Sequence, residues 1–324
     1  MAEPISRRQL VHGAAAAVTL ARAWPARVHA ADAARHAMAG AASAFLASLD
    51  ARQRRRAVFP FADAERLNWH YVPRRREGLT FKDMSAPART AAHELMKASL
   101  SAVGYGKAVN IIQLEDVLRQ IERLGLSRDP ENYAFTVFGV PADAAPWGWR
   151  LEGHHLSLNF TLVPGRPIAV TPAFMGANPA TVRSGSRAGL RTLEHEQDLG
   201  LALARSLDPA LRARAVIAAE SFGDIILRPG RRELSATREG VPLSAMTGDQ
   251  RALAVRLIET YARNMRAEIA EEELGRMRSA GLDQVHFAWA GPVDRARPHY
   301  YRVSGPTLVI EYDNTQNDAN HIGT

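Results

Sequence analysis

Apolar side chains recur every three to four positions in the first third of the chain. Met38, Ala42, Phe45, Leu46 and Leu49 form a stripe that predicts a helix over residues 33–57. Ser85 followed by Pro87 makes a helix start, and the spacing carries that helix to Val103. Leu114, Val117, Leu118, Ile121 and Leu124 share one face of a second helix, Val109 to Gly125, with the glycine as its cap. Between the first two helices, Asn68-Trp69-His70-Tyr71-Val72-Pro73 is short, aromatic and closed by proline, which predicts a strand.

From Tyr133 the period changes to two. Strands are predicted at Tyr133–Phe138, Trp147–Glu152, His154–Val163 and Ile168–Pro172, with a loop over Phe174–Pro179. Helices return at 191–206, 209–219 and 247–278, and strands at Gln284–Trp289, His299–Ser304 and Thr307–Tyr312. This order predicts an α+β fold, a mainly antiparallel sheet flanked by helices. Neither an internal repeat nor a flexible linker is evident, so residues 31–324 read as one domain.

The first 30 residues have another pattern. Ser6-Arg7-Arg8-Gln9-Leu10-Val11 places paired arginines before an apolar run from Gly13 to Ala23, and Ala26-Arg27-Val28-His29-Ala30 offers small residues for a cut after Ala30. That is a twin-arginine signal peptide. It implies passage through the twin-arginine export machinery, a periplasmic or secreted location, and substrates that fold before export, often around a cofactor. The run is shorter than the roughly 20 apolar residues of a membrane span, and no second one follows, so no span is expected in the mature protein.

Composition narrows the chemistry. Hydrophobic residues make up 46% of the chain, which speaks for a packed globular fold. The absence of cysteine excludes disulfides and thiolate chemistry, leaving His, carboxylate, carbonyl and water as metal ligands. The formal charge is +7, of which residues 1–30, with four Arg and one Glu, supply +3. The runs Arg52–Arg56 and Arg74-Arg75-Arg76 lack interleaved aromatics and read as solvated surface rather than a nucleic-acid face. Dinucleotide, phosphate-loop, nucleophile-elbow and His-Glu-x-x-His signatures are missing.

Three clusters carry candidate chemistry. Glu152-Gly153-His154-His155 heads the alternating strand; there His155 shares parity with Ser157 and Asn159, and His154 with Leu156 and Leu158. Pro298-His299-Tyr300-Tyr301-Arg302 enters a late strand. Glu311-Tyr312-Asp313 leads into the polar run Asn314–Asn320 and His321. Neutral imidazoles with carboxylates suit a divalent transition metal, which makes His154, His155, His299 and His321 metal-ligand candidates. Glu311 and Asp313 are acid–base candidates, and Arg302 or Arg150 is placed to clamp an anion. The same Asn and Asp residues also favour tight turns, so a hydrogen-bonded structural network is the competing account. Glu194 with Asp198, one helical turn apart, and His286 are further candidates.

Several of these segments resemble one uncharacterised bacterial family. They include Trp147-Gly148-Trp149-Arg150-Leu151-Glu152-Gly153-His154-His155, Thr171-Pro172-Ala173-Phe174-Met175-Gly176-Ala177-Asn178-Pro179, His299-Tyr300-Tyr301-Arg302 and Ile310–Ile322. The resemblance is to the domain of unknown function 3500, over nearly all of the mature chain. It implies no established activity. Family members look as if they continue past the His-Ile pair with another His and a Trp-Arg-Asp segment, where this chain has Gly323-Thr324; a shortened C-terminus is therefore expected. Two functions follow as expectations. One is a metal-dependent enzyme, hydrolytic or oxidative. The other is a binding module for a small molecule, sugar or peptide, with Trp147, Trp149, Trp289, Tyr300 and Tyr301 flanking the ligand.

Overall fold

The computed structural model describes residues 32–122, 128–231 and 238–324. The expected signal segment and the expected cap at Gly125 lie outside them. The N-terminal stripe folds as two helices, not one. Residues 32–47 form α1, which buries Met38, Ala42, Phe45 and Leu46. Asp50 then starts α2 (Ala51–Ala57): its carboxylate accepts from Gln53 N, and the Gln53 side chain accepts from Asp50 N. Such a reciprocal cap stabilises by about 1 kcal/mol and resets the helix despite the continuous apolar period.

Helices α3 (Ala86–Ser99) and α4 (Ala102–Glu122) follow, with Ser85 capping α3. The second half supplies α5 (Glu194–Ser206), α6 (Pro209–Ala215), α7 (Gly248–Ala262) and α8 (Ala267–Ala280). The single helix expected over 247–278 is thus broken, at the point where Asn264 C=O accepts the N–H of Ser101.

The strands are β1 (Val58–Phe59), β2 (Leu79–Thr80), β3 (Ala134–Phe138), β4 (Trp147–Gly153), β5 (Leu156–Leu162) and β6 (Ala169–Ala177). Then come β7 (Val216–Ala218), β8 (Val241–Pro242), β9 (His286–Ala290), β10 (His299–Ser304), β11 (Val309–Asn314) and β12 (Ile322–Gly323). Among the described residues they form one 12-stranded sheet in the order β1-β3-β4-β5-β6-β12-β11-β10-β9-β7, with β2 on β3 and β8 on β9. All pairings are antiparallel except β1 with β3 and β7 with β9. The α+β architecture is as the sequence predicts. Two segments differ. Residues 68–73 form no strand but cross the sheet as a loop, with Tyr71 stacked on Phe174 at 4.0 Å. The predicted loop at 174–177 is the end of β6.

The strand order reads the same from both ends, and the reason is a duplication. Each half runs helix, short helix, short strand, loop, short strand, two long helices and an antiparallel meander. Ser48-Leu49-Asp50 before α2 matches Ser206-Leu207-Asp208 before α6, and both aspartates cap their helices. Arg76-Glu77-Gly78 before β2 matches Arg238-Glu239-Gly240 before β8. Gly78 (φ +99°) and Gly240 (φ +94°) are both left-handed, and a Cβ on either would lie within 2.8 and 2.2 Å of the carbonyl oxygens of Phe135 and Phe287, which are themselves equivalent. The sequence showed no repeat because the spacing varies: Asp50 and Asp208 are 158 apart, Gly78 and Gly240 162, Arg150 and Arg302 152. Loops of unequal length destroy the fixed period that reveals a repeat.

The helices cover one face of the sheet. Trp147, Trp149, Leu158, Phe160, Trp289, Tyr301 and Tyr312 pack there in a single core. On the other face lie Arg150, Glu152, Ser157, Asn159, Tyr300, Arg302, Glu311 and Asp313, buried beneath the loops that precede β2 and β8. Alternation along each strand sends one set to the oily layer and the other to a buried polar layer, which must satisfy itself with hydrogen bonds.

Candidate functional site

The two histidines expected to head a strand form the turn between β4 and β5. His155 has a left-handed φ of 60°, a conformation that costs a non-glycine residue about 1–2 kcal/mol. Its surroundings hold it there. His155 N donates to Tyr71 O at 2.8 Å, its C=O accepts from Gly176 N at 2.7 Å, and the Tyr133 hydroxyl donates to His154 O at 2.7 Å. Because this is a turn, the parity that separated the two imidazoles does not apply. Their rings lie 3.8 Å apart, centre to centre.

Each imidazole has a different partner. His154 Nδ1 is 2.5 Å from Glu115 Oε1 on α4, and the pair is buried. Arg128, anchored to Glu122 by two hydrogen bonds, brings Nη1 to 3.2 and 3.3 Å from the ring nitrogens of His154. His155 Nε2 faces His321 Nε2 at 2.9 Å. Burial lowers the His155 imidazole well below its ordinary range, helped by His154 and His321. Burial, with His154 and Arg128 nearby, lowers His321 to about 4. Both are neutral near pH 7, so one Nε2–H donates to the other's lone pair.

The polar run after β11 places His321. Asn317, Asp318 and Ala319 have φ of 53°, 55° and 54°. Asn320 Oδ1 accepts from Thr181 N, Asn317 Nδ2 donates to Asn178 Oδ1, and Asn314 Oδ1 accepts from His321 N. Much of the run is turn chemistry, as its composition allowed, and its product is the position of one imidazole.

The Glu115–His154 pair forms part of the wall of a cavity of about 480 Å³, which Arg74, Arg75, Arg76, Lys82, Asp129 and Tyr133 also line. Arg76 departs from the surface reading of its run. Its side chain is buried, donates to Glu152 Oε1 at 2.8 Å and reaches the carbonyls of His70, Val72 and Gly153. Arg74 and Arg75 are exposed.

The other candidates are placed elsewhere. His299 is fully buried on the helix side between Trp289 and Tyr312, with Nδ1 2.7 Å from Arg297 O and Nε2 without a partner among the described residues. Glu311 accepts from Tyr300 Oη, Ile226 N and Leu227 N at 2.6, 2.9 and 2.7 Å, tying the loop before β8 to the sheet. Asp313 accepts from the hydroxyls of Ser221 and Thr315, both at 2.8 Å, and burial raises its carboxyl to about 6. Arg302 and its repeat partner Arg150 are likewise buried, paired with Glu239 and Glu65 from the covering loops. Asp198 pairs with Arg191 and Arg295, and His286 Nδ1 lies 3.2 Å from Gln284 O. The five aromatics expected to edge a ligand are all buried in the sheet's packing layers, 1% exposed or less.

Among the described residues no group of three or more His, Asp and Glu side chains is arranged to hold a metal, and no helix is long and apolar enough to cross a membrane. The sequence reading missed Glu115 and Arg128. Glu115 carried a signal: it lies on the buried stripe of α4, four residues after Ile111 and three before Leu118, and a carboxylate there needs a partner. No curated protein and no solved structure matches the chain. The chain belongs to the family described as Protein of unknown function (DUF3500), whose family model matches residues 31–324.

Proposed function

We propose that the chain is an exported enzyme whose active site is the cleft above the β4–β5 turn, acting on an anionic small molecule. The observation that carries this reading is a buried carboxylate–imidazole pair, Glu115 with His154, in the wall of an arginine-lined cavity. A carboxylate on Nδ1 favours the tautomer whose lone pair is on Nε2, the arrangement of a general base, with the Arg128 guanidinium 3.3 Å from that nitrogen. Arg128, Arg74 and Arg75 supply the charge that draws an anion to it. Export rests on the Ser6-Arg7-Arg8 signal.

A divalent transition metal fits beside this pair. His155 and His321 offer two neutral Nε2 atoms 2.9 Å apart, a spacing that two imidazoles on one ion can adopt at bond lengths of about 2.0–2.1 Å. The ion would polarise a substrate oxygen or lower the pKa of a bound water. The protein's own contribution is to hold both rings neutral, orient them through the Tyr71, Gly176 and Asn314 contacts, and keep His154 available for the proton.

Elemental analysis of protein exported by its own signal tests the metal. About one equivalent is expected, with loss in His321→Ala and in His155→Asn, where Asn tolerates the left-handed backbone. Absence of metal from the wild-type protein overturns this part of the reading and leaves the Glu115–His154 pair as the sole catalytic device.

A further inference from the structure

The cavity beside the Glu115–His154 pair, at about 480 Å³, lies near the lower end of the roughly 300–1,000 Å³ that small-molecule sites occupy. Its wall is polar. Among the lining residues only Pro73 and Tyr133 bring apolar surface, and Tyr133 is 1% exposed, with its hydroxyl donated to His154 O. A flat ring finds no open aromatic face to stack on, and an apolar ligand would strip water from charged groups without replacing it. The charges of the wall are unevenly matched. Arg76 is held by Glu152, Lys82 by Asp129 and Arg128 by Glu122. Arg74 and Arg75, exposed at the cavity, make no ion pair among the described residues; Arg74 Nε donates to Arg75 O instead. The buried end of the cavity has the opposite character, with the Glu115 carboxylate on Nδ1 of His154. Arg128 Nη1 is nearly equidistant from the two nitrogens of that ring, at 3.2 and 3.3 Å, which places it over the ring and out of line with the in-plane lone pair of Nε2.

We propose, resting on the reading of this cleft as an active site, that its substrate is a small hydroxylated dianion: two negative charges held by Arg74 and Arg75, and a hydroxyl that donates to His154 Nε2. Two guanidiniums without counter-ions call for two negative charges, carried by a pair of carboxylates or by one phosphate monoester. Each guanidinium can grip such a group through two parallel N–H donors. The hydroxyl completes the other end, since the Nε2 lone pair needs a donor and the carboxylate on Nδ1 strengthens it as an acceptor. An anion without a hydroxyl satisfies only the exposed end of the cavity. A neutral polyol satisfies only the buried end.

The test is isothermal titration calorimetry of the full chain with two matched pairs of probes, succinate against L-malate and propyl phosphate against glycerol 3-phosphate. Within each pair the anionic group is kept and hydroxyl is added. In at least one pair the hydroxylated member should bind about tenfold more tightly, and which pair does so tells carboxylate from phosphate. Arg74→Ala and Arg75→Ala should each weaken both members of that pair about tenfold and keep their ratio. Glu115→Gln and His154→Asn should bring the ratio to within about twofold and leave the unhydroxylated member unchanged. Failure of the ligand class shows in the wild type, as no saturable binding of any probe or as equal binding within both pairs; arginine variants that bind like the wild type overturn it too. Failure of the active-site reading shows differently, as a hydroxyl preference that Glu115→Gln and His154→Asn both leave intact, because the acceptor would then lie outside the pair.

Discussion

The Glu115–His154 contact can be weighed by a double-mutant cycle of Glu115→Gln, His154→Asn and the pair. The side chains are 3% and 9% exposed and 2.5 Å apart. At an effective dielectric of 20, two unit charges at that distance would attract by about 7 kcal/mol, an upper bound before desolvation is counted. The net value of a buried, charge-assisted hydrogen bond is about 1.5–3 kcal/mol, and the coupling energy is expected in that range. Glu115→Gln keeps the shape but leaves His154 with a neutral partner while Arg128 stays beside the ring. Urea unfolding is the assay. With a slope near about 3 kcal/mol/M, the coupling amounts to a midpoint difference of roughly 0.5–1 M across the cycle. The exposed Lys97–Glu94 pair on α3 is the control and should show no resolvable coupling. A Glu115–His154 coupling below about 0.5 kcal/mol would refute the claim that the carboxylate holds the imidazole, and with it the assignment of His154 as an oriented base.

Other outcomes follow from the same contacts. The Asp313 carboxyl is raised from 3.8 to about 6, so the unfolded chain gives up this proton first as pH rises, and native stability falls between about pH 4 and 6 by up to about 3 kcal/mol. Relative to wild type, Asp313→Asn should therefore fare better at pH 7 than at pH 4 in thermal melts, and a pH-independent difference contradicts the raised carboxyl. Gly240→Ala should cost about 2–4 kcal/mol, from the left-handed backbone and the contact with Phe287 O, and more than the equivalent Gly78→Ala; chemical unfolding that finds either below about 1 kcal/mol removes the steric argument for the paired glycines. His299→Phe should cost about 1–3 kcal/mol, from the lost Nδ1 contact with Arg297 O, since Phe keeps the stacking of the ring. The same variant should keep any metal that His321→Ala loses, and loss of metal from both would place His299 in the site.

The sequence by itself determined the elements and the fold class, because periods of 3.6 and 2 are local properties of a chain that must bury apolar surface. Alternation along β4, β5, β10 and β11 already separated Trp149, Leu158, Tyr301 and Tyr312 from Arg150, Asn159, Arg302 and Glu311. It also marked His154, His155 and His321 as chemically notable. In two places a local device had overridden the period: the Asp50 cap divided one helix into two, and the left-handed His155 turned a strand head into a hairpin.

Only the tertiary structure decided which marked residues meet. His321 lies 166 positions from His155 and reaches it because β12 returns beside β6. Glu115 arrives from α4, and His299 is sealed between aromatic rings on the opposite side of the sheet. The duplication was hidden for a related reason. Unequal loops break its period in sequence, while hydrogen-bonding geometry preserves it in space, down to matched glycines that each leave room for one carbonyl oxygen. Long-range pairing depends on how two halves of a sheet come into register, and no window along the chain contains that information.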